Sequence, residues 1–254
     1  MPATLEFEQV SWTPRGVQVL KNLTAAFAPG SLTAVVGPNG AGKSSFLKAA
    51  AGFLTVKQGR ILWGGKEQSR FGHRQAANFR HWCGSEDEGG LTVRTVVEAG
   101  VYSLEGRWQN LSEAQLQRLQ ELGKALELFL DWNDTRAFRS FSSGERRLVH
   151  LLRTFLVPAE LYLLDEPGAP LDLRHRLLLG KLLKQLSTQG ATLLVSYHDL
   201  GEALSVADQV LVLEKGQVKI HGSIKDLTPT LIQSVWRVQS PEAGWTWGTL
   251  ETKA

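Results

Sequence analysis

The chain holds one cysteine, Cys83, in 254 residues, so it can form neither an intrachain disulfide nor a cysteine-cluster metal site. That usage suits a reducing compartment. Long apolar runs are missing too: none approaches the roughly 18 residues that a membrane-spanning helix requires. The opening Met1-Pro2-Ala3-Thr4-Leu5-Glu6 has no basic segment leading into an apolar stretch, so no secretory leader is expected. Nor does one sign of charge dominate. The 28 Lys and Arg against 25 Asp and Glu leave a net charge of +3 with no long basic block, and no nucleic-acid partner is expected. Internal repeats are absent, which favours one domain over a tandem pair.

What remains is 43% apolar and 21% charged, the balance of a soluble, cytosolic globular protein. Leu5 to Val10 alternates apolar and polar residues, as a half-exposed strand does, and Val17 to Phe27 and Gly59 to Trp63 read as further strands between Gly and Pro turns. Leu32 to Val36, Leu161 to Leu164 and Ala191 to Ser196 are continuous apolar runs, suited to a parallel sheet covered on both faces. Helical patterns over Gly42 to Ala51 and Leu173 to Leu186 lie between them. The expected fold is therefore an α/β core with an antiparallel N-terminal sheet. From about Thr92 to Leu156 the pattern turns mainly helical: Ser112-Glu113-Ala114-Gln115 forms a capping box, and Leu116, Leu119, Leu126 and Leu130 mark an apolar face. A helical insert in the core explains this, and the stretch from Ser240 to Ala254 reads as a loosely held tail.

Gly37-Pro38-Asn39-Gly40-Ala41-Gly42-Lys43-Ser44 fits G-x-x-x-x-G-K-[ST] in full, after a buried strand and before a helix. The glycines let successive backbone N–H groups turn inward around phosphate oxygens, and the helix adds its positive end. Lys43 is placed to reach the β- and γ-phosphates and the Ser44 hydroxyl to ligate Mg²⁺; Ser45 is counted among the nucleotide contacts. ATP and Mg²⁺ are the implied ligands. Further on, the apolar run Leu161 to Leu164 ends in Asp165-Glu166-Pro167. A hard cation prefers oxygen, so Asp165 can hold Mg²⁺ directly or through water, and Glu166 can polarise an attacking water. Alone, such a pair is equally compatible with charges capping a strand.

The wider pattern resembles the ATPases of ABC transporters. Phe141-Ser142-Ser143-Gly144-Glu145 is similar to their LSGGQ/E signature, Pro170-Leu171-Asp172 to their D-loop, and His198-Asp199 to their switch histidine, all in the family order. The resemblance spans about Leu5 to Trp236. It implies a P-loop NTPase (RecA-like) core, about 1–84 and 157–240, with a helical insert, about 85–156, that carries the signature, and a tail at 241–254. It further implies that Ser142, Ser143, Gly144 and Glu145 meet the γ-phosphate held by a second copy in a head-to-tail homodimer. His198, as a lone histidine more often structural, is then given γ-phosphate contact. Trp12 stands where the family stacks an aromatic ring on adenine, although packing is the other reading in a chain with 8 Trp.

Two departures stand out. The family places a Mg²⁺-ligating Gln ahead of the insert, where this chain has Cys83, a poor ligand for that ion. Either water or Glu86 is expected to substitute, or the linker is shifted. Phe141 and Ser143 replace the usual Leu and Gly of the signature.

Leu91 to Gly100, with the Gly106-Arg107-Trp108 that follows, resembles the iron-siderophore, haem and vitamin B12 importer branch, as does the Leu-Thr-Pro segment before Ile232 to Trp236. That branch implies a separate membrane permease, an extracytoplasmic substrate-binding protein, and a peripheral position on the cytoplasmic face of the membrane. The alternatives are the ABC ATPase of another transporter type, a soluble ABC ATPase acting on ribosomes or DNA complexes, and a regulatory module with weak hydrolysis.

Overall fold

Alternation along Leu5–Trp12 (β1) and Leu20–Phe27 (β2) puts Leu5, Phe7, Val10, Leu20, Leu23 and Phe27 on one inner face. With Gln58–Trp63 (β4) and Lys66–Glu67 (β5) these strands make an antiparallel sheet of order β2-β1-β4-β5. The computed structural model describes residues 5–84, 91–105, 110–129, 131, 134 and 136–237. Leu130, Glu86, Gly106 to Trp108 and the 241–254 tail, all singled out from the sequence, lie outside them.

The second sheet joins Leu32–Val36 (β3), Arg80–Cys83 (β6), Leu161–Leu164 (β7), Thr192–Ser196 (β8), Gln209–Glu214 (β9) and Gln217–Ser223 (β10) in the order β10-β9-β3-β8-β7-β6. Every residue of β3, β7 and β8 is buried, which accounts for their unbroken apolar runs. The sheet is parallel from β9 to β6, and β10 closes one edge as an antiparallel hairpin with β9. The strand expected from Val17 begins instead at Leu20: Pro14–Gly16 form a single 3-10 turn, and Val17 is 66% exposed.

Lys43–Ala50 (α1) is packed between the two sheets. Phe46 stacks on Phe7 at 4.6 Å and tilts against Phe27 at 6.1 Å. The far end of α1 is gripped by side chains. Trp63 Nε1 donates to the Ala50 carbonyl at 3.0 Å, Gln68 Nε2 donates to those of Ala49 and Ala50, and Arg80 Nε donates to that of Ala51 at 2.7 Å. The Ala49 carbonyl also accepts from Gly52 N at 3.0 Å; the side-chain donors add to the bonding of this helix end, and a cation there offsets the negative end of the helix dipole. Burial pulls the Arg80 guanidinium below its usual pKa, while the Phe53 ring lies 4.8 Å beneath it.

His73–Phe79 (α2) leads into β6. Val93–Glu105 (α3), Glu113–Ala125 (α4) and Ser143–Leu156 (α5) then form the helical segment before β7. Ser112 Oγ accepts from Gln115 N, and Gln115 Oε1 accepts from Ser112 N at 2.8 Å, so the expected capping box is present. The buried face of α4 runs through Leu119 and Leu122 and on to Leu126; Leu116, expected to share it, is 39% exposed because it sits in the first turn, at the rim of the core. Val96, Leu122, Val149 and Leu152 share one continuous core with Leu164 and Val195 of the sheet. Leu173–Thr188 (α6), Leu200–Val206 (α7) and Pro229–Trp236 (α8) complete the order. Within that core the Phe155 ring is fully buried and meets the Tyr162 ring edge-on at 5.3 Å. Phe155→Ala is therefore expected to lower stability by about 3–5 kcal/mol in urea unfolding. A midpoint that does not move would show that this contact contributes nothing.

Candidate functional site

Parallel pairing brings four strand ends to one edge. Val35 of β3 lies opposite Ser196 of β8, Val195 of β8 opposite Leu164 of β7, and Leu164 opposite Cys83 of β6. Segments leaving the carboxyl ends of parallel strands are where an open α/β sheet binds ligands. Here they are the Gly37–Ser44 loop, Asp165-Glu166, Tyr197-His198, and Gly84.

Gly37 opens the loop because nothing larger fits: a Cβ there would stand 2.1 Å from the Leu213 carbonyl oxygen. Pro38, Asn39 and Gly40 form the outer turn, with Asn39 and Gly40 exposed, and Ala41 N closes it on the Pro38 carbonyl at 3.0 Å. Gly42, in a left-handed conformation, precedes α1, and no side chain caps that helix end. Its first N–H groups are therefore left without a capping oxygen, an arrangement that suits an anion. Lys43 is buried, and Nζ donates to the Gly37 carbonyl at 2.9 Å across its own loop. Ser44 is exposed at the loop mouth and Ser45 half-buried beside it. Trp12, half-buried at the end of β1, accepts from Val19 N at 3.0 Å through its carbonyl. The Val19 carbonyl in turn lies 3.5 Å from the Cβ position of Gly42, while the Trp12 side chain packs against the N-terminal hydrophobic cluster.

Ser196 organises the carboxylates, a role that the sequence reading missed. Its Oγ donates to Asp165 Oδ1 at 2.7 Å and accepts from Glu166 N at 2.8 Å. A hydroxyl at the end of an otherwise apolar strand was the available signal. Glu166 has φ of +45°, a strained conformation for a residue with a side chain, and one that functional sites retain. Glu166, Ser196, Tyr197, His198 and Glu202 line one cleft of about 360 Å³. His198 is exposed there, whereas Asp199 serves α7 as its cap, accepting from Glu202 N at 2.8 Å. Asp172 caps α6 in the same way. Burial raises the pKa of the Glu202 carboxyl, and its Oε2 lies 3.8 Å from Arg176, whose Nε donates to the Leu171 carbonyl at 2.9 Å.

The start of α5 stands apart. Ser142 Oγ accepts from Glu145 N, while Glu145 Oε2 accepts from Ser142 N at 2.8 Å and from Ser142 Oγ at 2.7 Å. These donors, the hydroxyl first, hold the Glu145 carboxyl below its usual pKa. Ser143 is exposed, so its side chain costs the fold nothing, and Phe141 keeps an apolar anchor with Arg136 4.5 Å over its ring. Gly144 lies against the Pro170 carbonyl, 3.3 Å from where a Cβ would begin, and Ser142 to Glu145 do not line the cleft of Glu166 and His198. Cys83 is buried in the core, its thiol pushed up by that burial, and its backbone carbonyl accepts from Asp165 N at 2.8 Å.

A family model described as ABC transporter matches residues 20–169. The hemin import ATP-binding protein HmuV of Vibrio vulnificus (strain YJ016) is 32% identical over 246 residues, covering 92% of this chain and 91% of that protein. A probable metal transport system ATP-binding protein of Chlamydia trachomatis is 31% identical over 212 residues, covering 82% of this chain and 79% of that protein. Among solved structures, an ATP binding subunit of an ABC transporter superposes with a TM-score of 0.78 at 24% identity, over 93% of this chain and 95% of that one; this likeness speaks to the fold.

Proposed function

Because the chain belongs to the ABC transporter family, we propose that it is the ATP-hydrolysing subunit of an importer for a metal chelate such as haem, an iron-siderophore or vitamin B12. The observation that carries the reading is the alignment of the phosphate loop, Asp165-Glu166 and His198 at one sheet edge. The hemin and metal transport relatives support the choice of cargo. On this reading residues 1–240 act as one domain, with a core of about 1–84 and 157–240 and an insert of about 85–156, followed by the 241–254 tail.

Each residue then has a task. The Gly37 to Ser45 loop holds phosphate oxygens with the backbone N–H groups its turn leaves open, Pro38 having none and Ala41 N being bonded within the loop; Lys43 neutralises the phosphates, and Trp12 stacks on the base. Glu166 takes a proton from the attacking water, which His198 helps to orient. The donor set suits Mg²⁺: the Ser44 hydroxyl is exposed at the loop mouth, and Asp165 offers a carboxylate already oriented by Ser196. Among the described residues no cluster of three or more His, Cys, Asp and Glu could hold a metal alone, so phosphate oxygens and water would complete the shell. When bound, the ion supplies charge neutralisation between the phosphates.

The start of α5, with its N–H groups and with none of Ser142 to Glu145 lining the cleft of Glu166, fits a second copy better than its own site. Two chains in head-to-tail contact would each complete the other's site with Ser142, Ser143, Gly144 and Glu145. Closure of that dimer would drive a separate permease from the cytoplasmic face of the membrane, with cargo delivered by an extracytoplasmic binding protein.

Gentle solubilisation and purification of the tagged chain tests this. A polytopic membrane protein is expected in stoichiometric amount; ribosomes, or no partner at all, would move the soluble or regulatory reading ahead of it.

A further inference from the structure

The end of β6 bridges two packed regions. Trp82 faces the N-terminal cluster, where its ring meets Phe53 edge-on at 5.5 Å, just past α1. Cys83 faces the other way, into the core that contains α3, α4 and α5. Gly84 follows because the indole folds back over it: a Cβ there would fall 2.6 Å from Trp82 Cζ2. A cation from the helical segment bonds to this strand end. Arg147, half-buried in the second turn of α5, donates from one guanidinium nitrogen to the Gly84 carbonyl at 2.9 Å and to the Cys83 sulfur at 3.5 Å. The Cys83 carbonyl is already bonded to Asp165 N.

We propose that Arg147 is a positioning residue, a latch that fixes the phosphate-facing end of α5 to the strand pair β6-β7 carrying Asp165 and Glu166. Arg147 lies two residues past Glu145, which completes the cap of α5, so the path from that cap to Asp165 runs through one side chain and two backbone groups. A charged donor on a carbonyl is among the stronger ties available, and the guanidinium directs two contacts from one planar group. The latch thus sets how α5 is presented to nucleotide rather than touching nucleotide itself. This rests on the proposed role of α5 in the partner's site.

Cys83 makes the latch observable, because it is the chain's sole cysteine and is buried beneath Arg147. A thiol so placed reacts slowly with reagents until the structure above it opens. The experiment follows the labelling of Cys83 by a chromogenic disulfide reagent, together with steady-state ATPase kinetics, in wild type, Arg147→Ala and Arg147→Lys. The folded state is checked by circular dichroism. Arg147→Ala is expected to label at least about tenfold faster and to lose about tenfold in kcat, with KM for ATP changed less than about twofold. Arg147→Lys keeps a donor for the Gly84 carbonyl and is expected to recover much of both. Unchanged labelling in both variants overturns the latch. Faster labelling with wild-type kcat overturns its role in turnover, and a parallel rise in KM assigns Arg147 to nucleotide binding and overturns it too. Should Arg147→Ala fail to fold, the Lys variant decides by the same two readings. A wild-type chain without ATPase activity defeats the functional reading but not the latch, which the labelling then decides alone.

Discussion

Glu166→Gln is expected to bind ATP as tightly as wild type and to lose at least about a hundredfold in kcat, the range for removing a general base. The substitution keeps shape and volume, so the strained backbone at φ +45° and the bond from Glu166 N to Ser196 Oγ survive. What disappears is the capacity to accept a proton in the cleft shared with His198. Nucleotide then persists unhydrolysed, and gel filtration with ATP and Mg²⁺ is expected to show a dimer that wild type forms only transiently. Phosphate release near the wild-type rate would remove Glu166 from the role of base and turn attention to His198.

Lys43→Ala is the other large effect. Its buried ammonium spans the loop to the Gly37 carbonyl, poised where a phosphate would compete for it. Hydrogen bonds to a charged group contribute about 1.5–3 kcal/mol, so affinity for ATP should fall about ten- to a hundredfold. Titration with a fluorescent ATP analogue measures this, and a thermal melt beside it separates lost contact from lost fold. Undiminished affinity in a folded variant would mean that the backbone cradle and helix end hold the phosphates without the lysine.

Both predictions rest on residues that were visible in the chain before any coordinates. The reason is spacing. The phosphate loop and the Ser112 and Ser142 capping boxes are written within four to eight consecutive positions, and the strands β3, β7 and β8 within four or five. Local periodicity carries that information directly. What stayed hidden depends on strand register. The partnership of Ser196 with Asp165 joins residues 31 apart, and that of Arg147 with Gly84 joins residues 63 apart. Neither has a local pattern, because the contact exists only once β6, β7 and β8 align. Asp199, read beside His198, caps α7 with its carboxylate. The exposure of Leu116 was hidden too, since helical period sets a face but not where the core beneath it ends.

The grip of Trp63, Gln68 and Arg80 on the far end of α1 has a mechanical reading. A helix wedged between two sheets and pinned at its tail cannot slide along its axis or unwind from the end opposite its load. The phosphate loop is thus mounted on a stator. Recoil from a ligand arriving at Gly37–Ser44 has no compliance to spend there, so displacement must pass to whatever is less firmly mounted. The helical segment is joined to the sheet through the shared core and through single side chains such as Arg147. Stiffness beneath the loop is what would allow a small change at a phosphate to become a motion somewhere else.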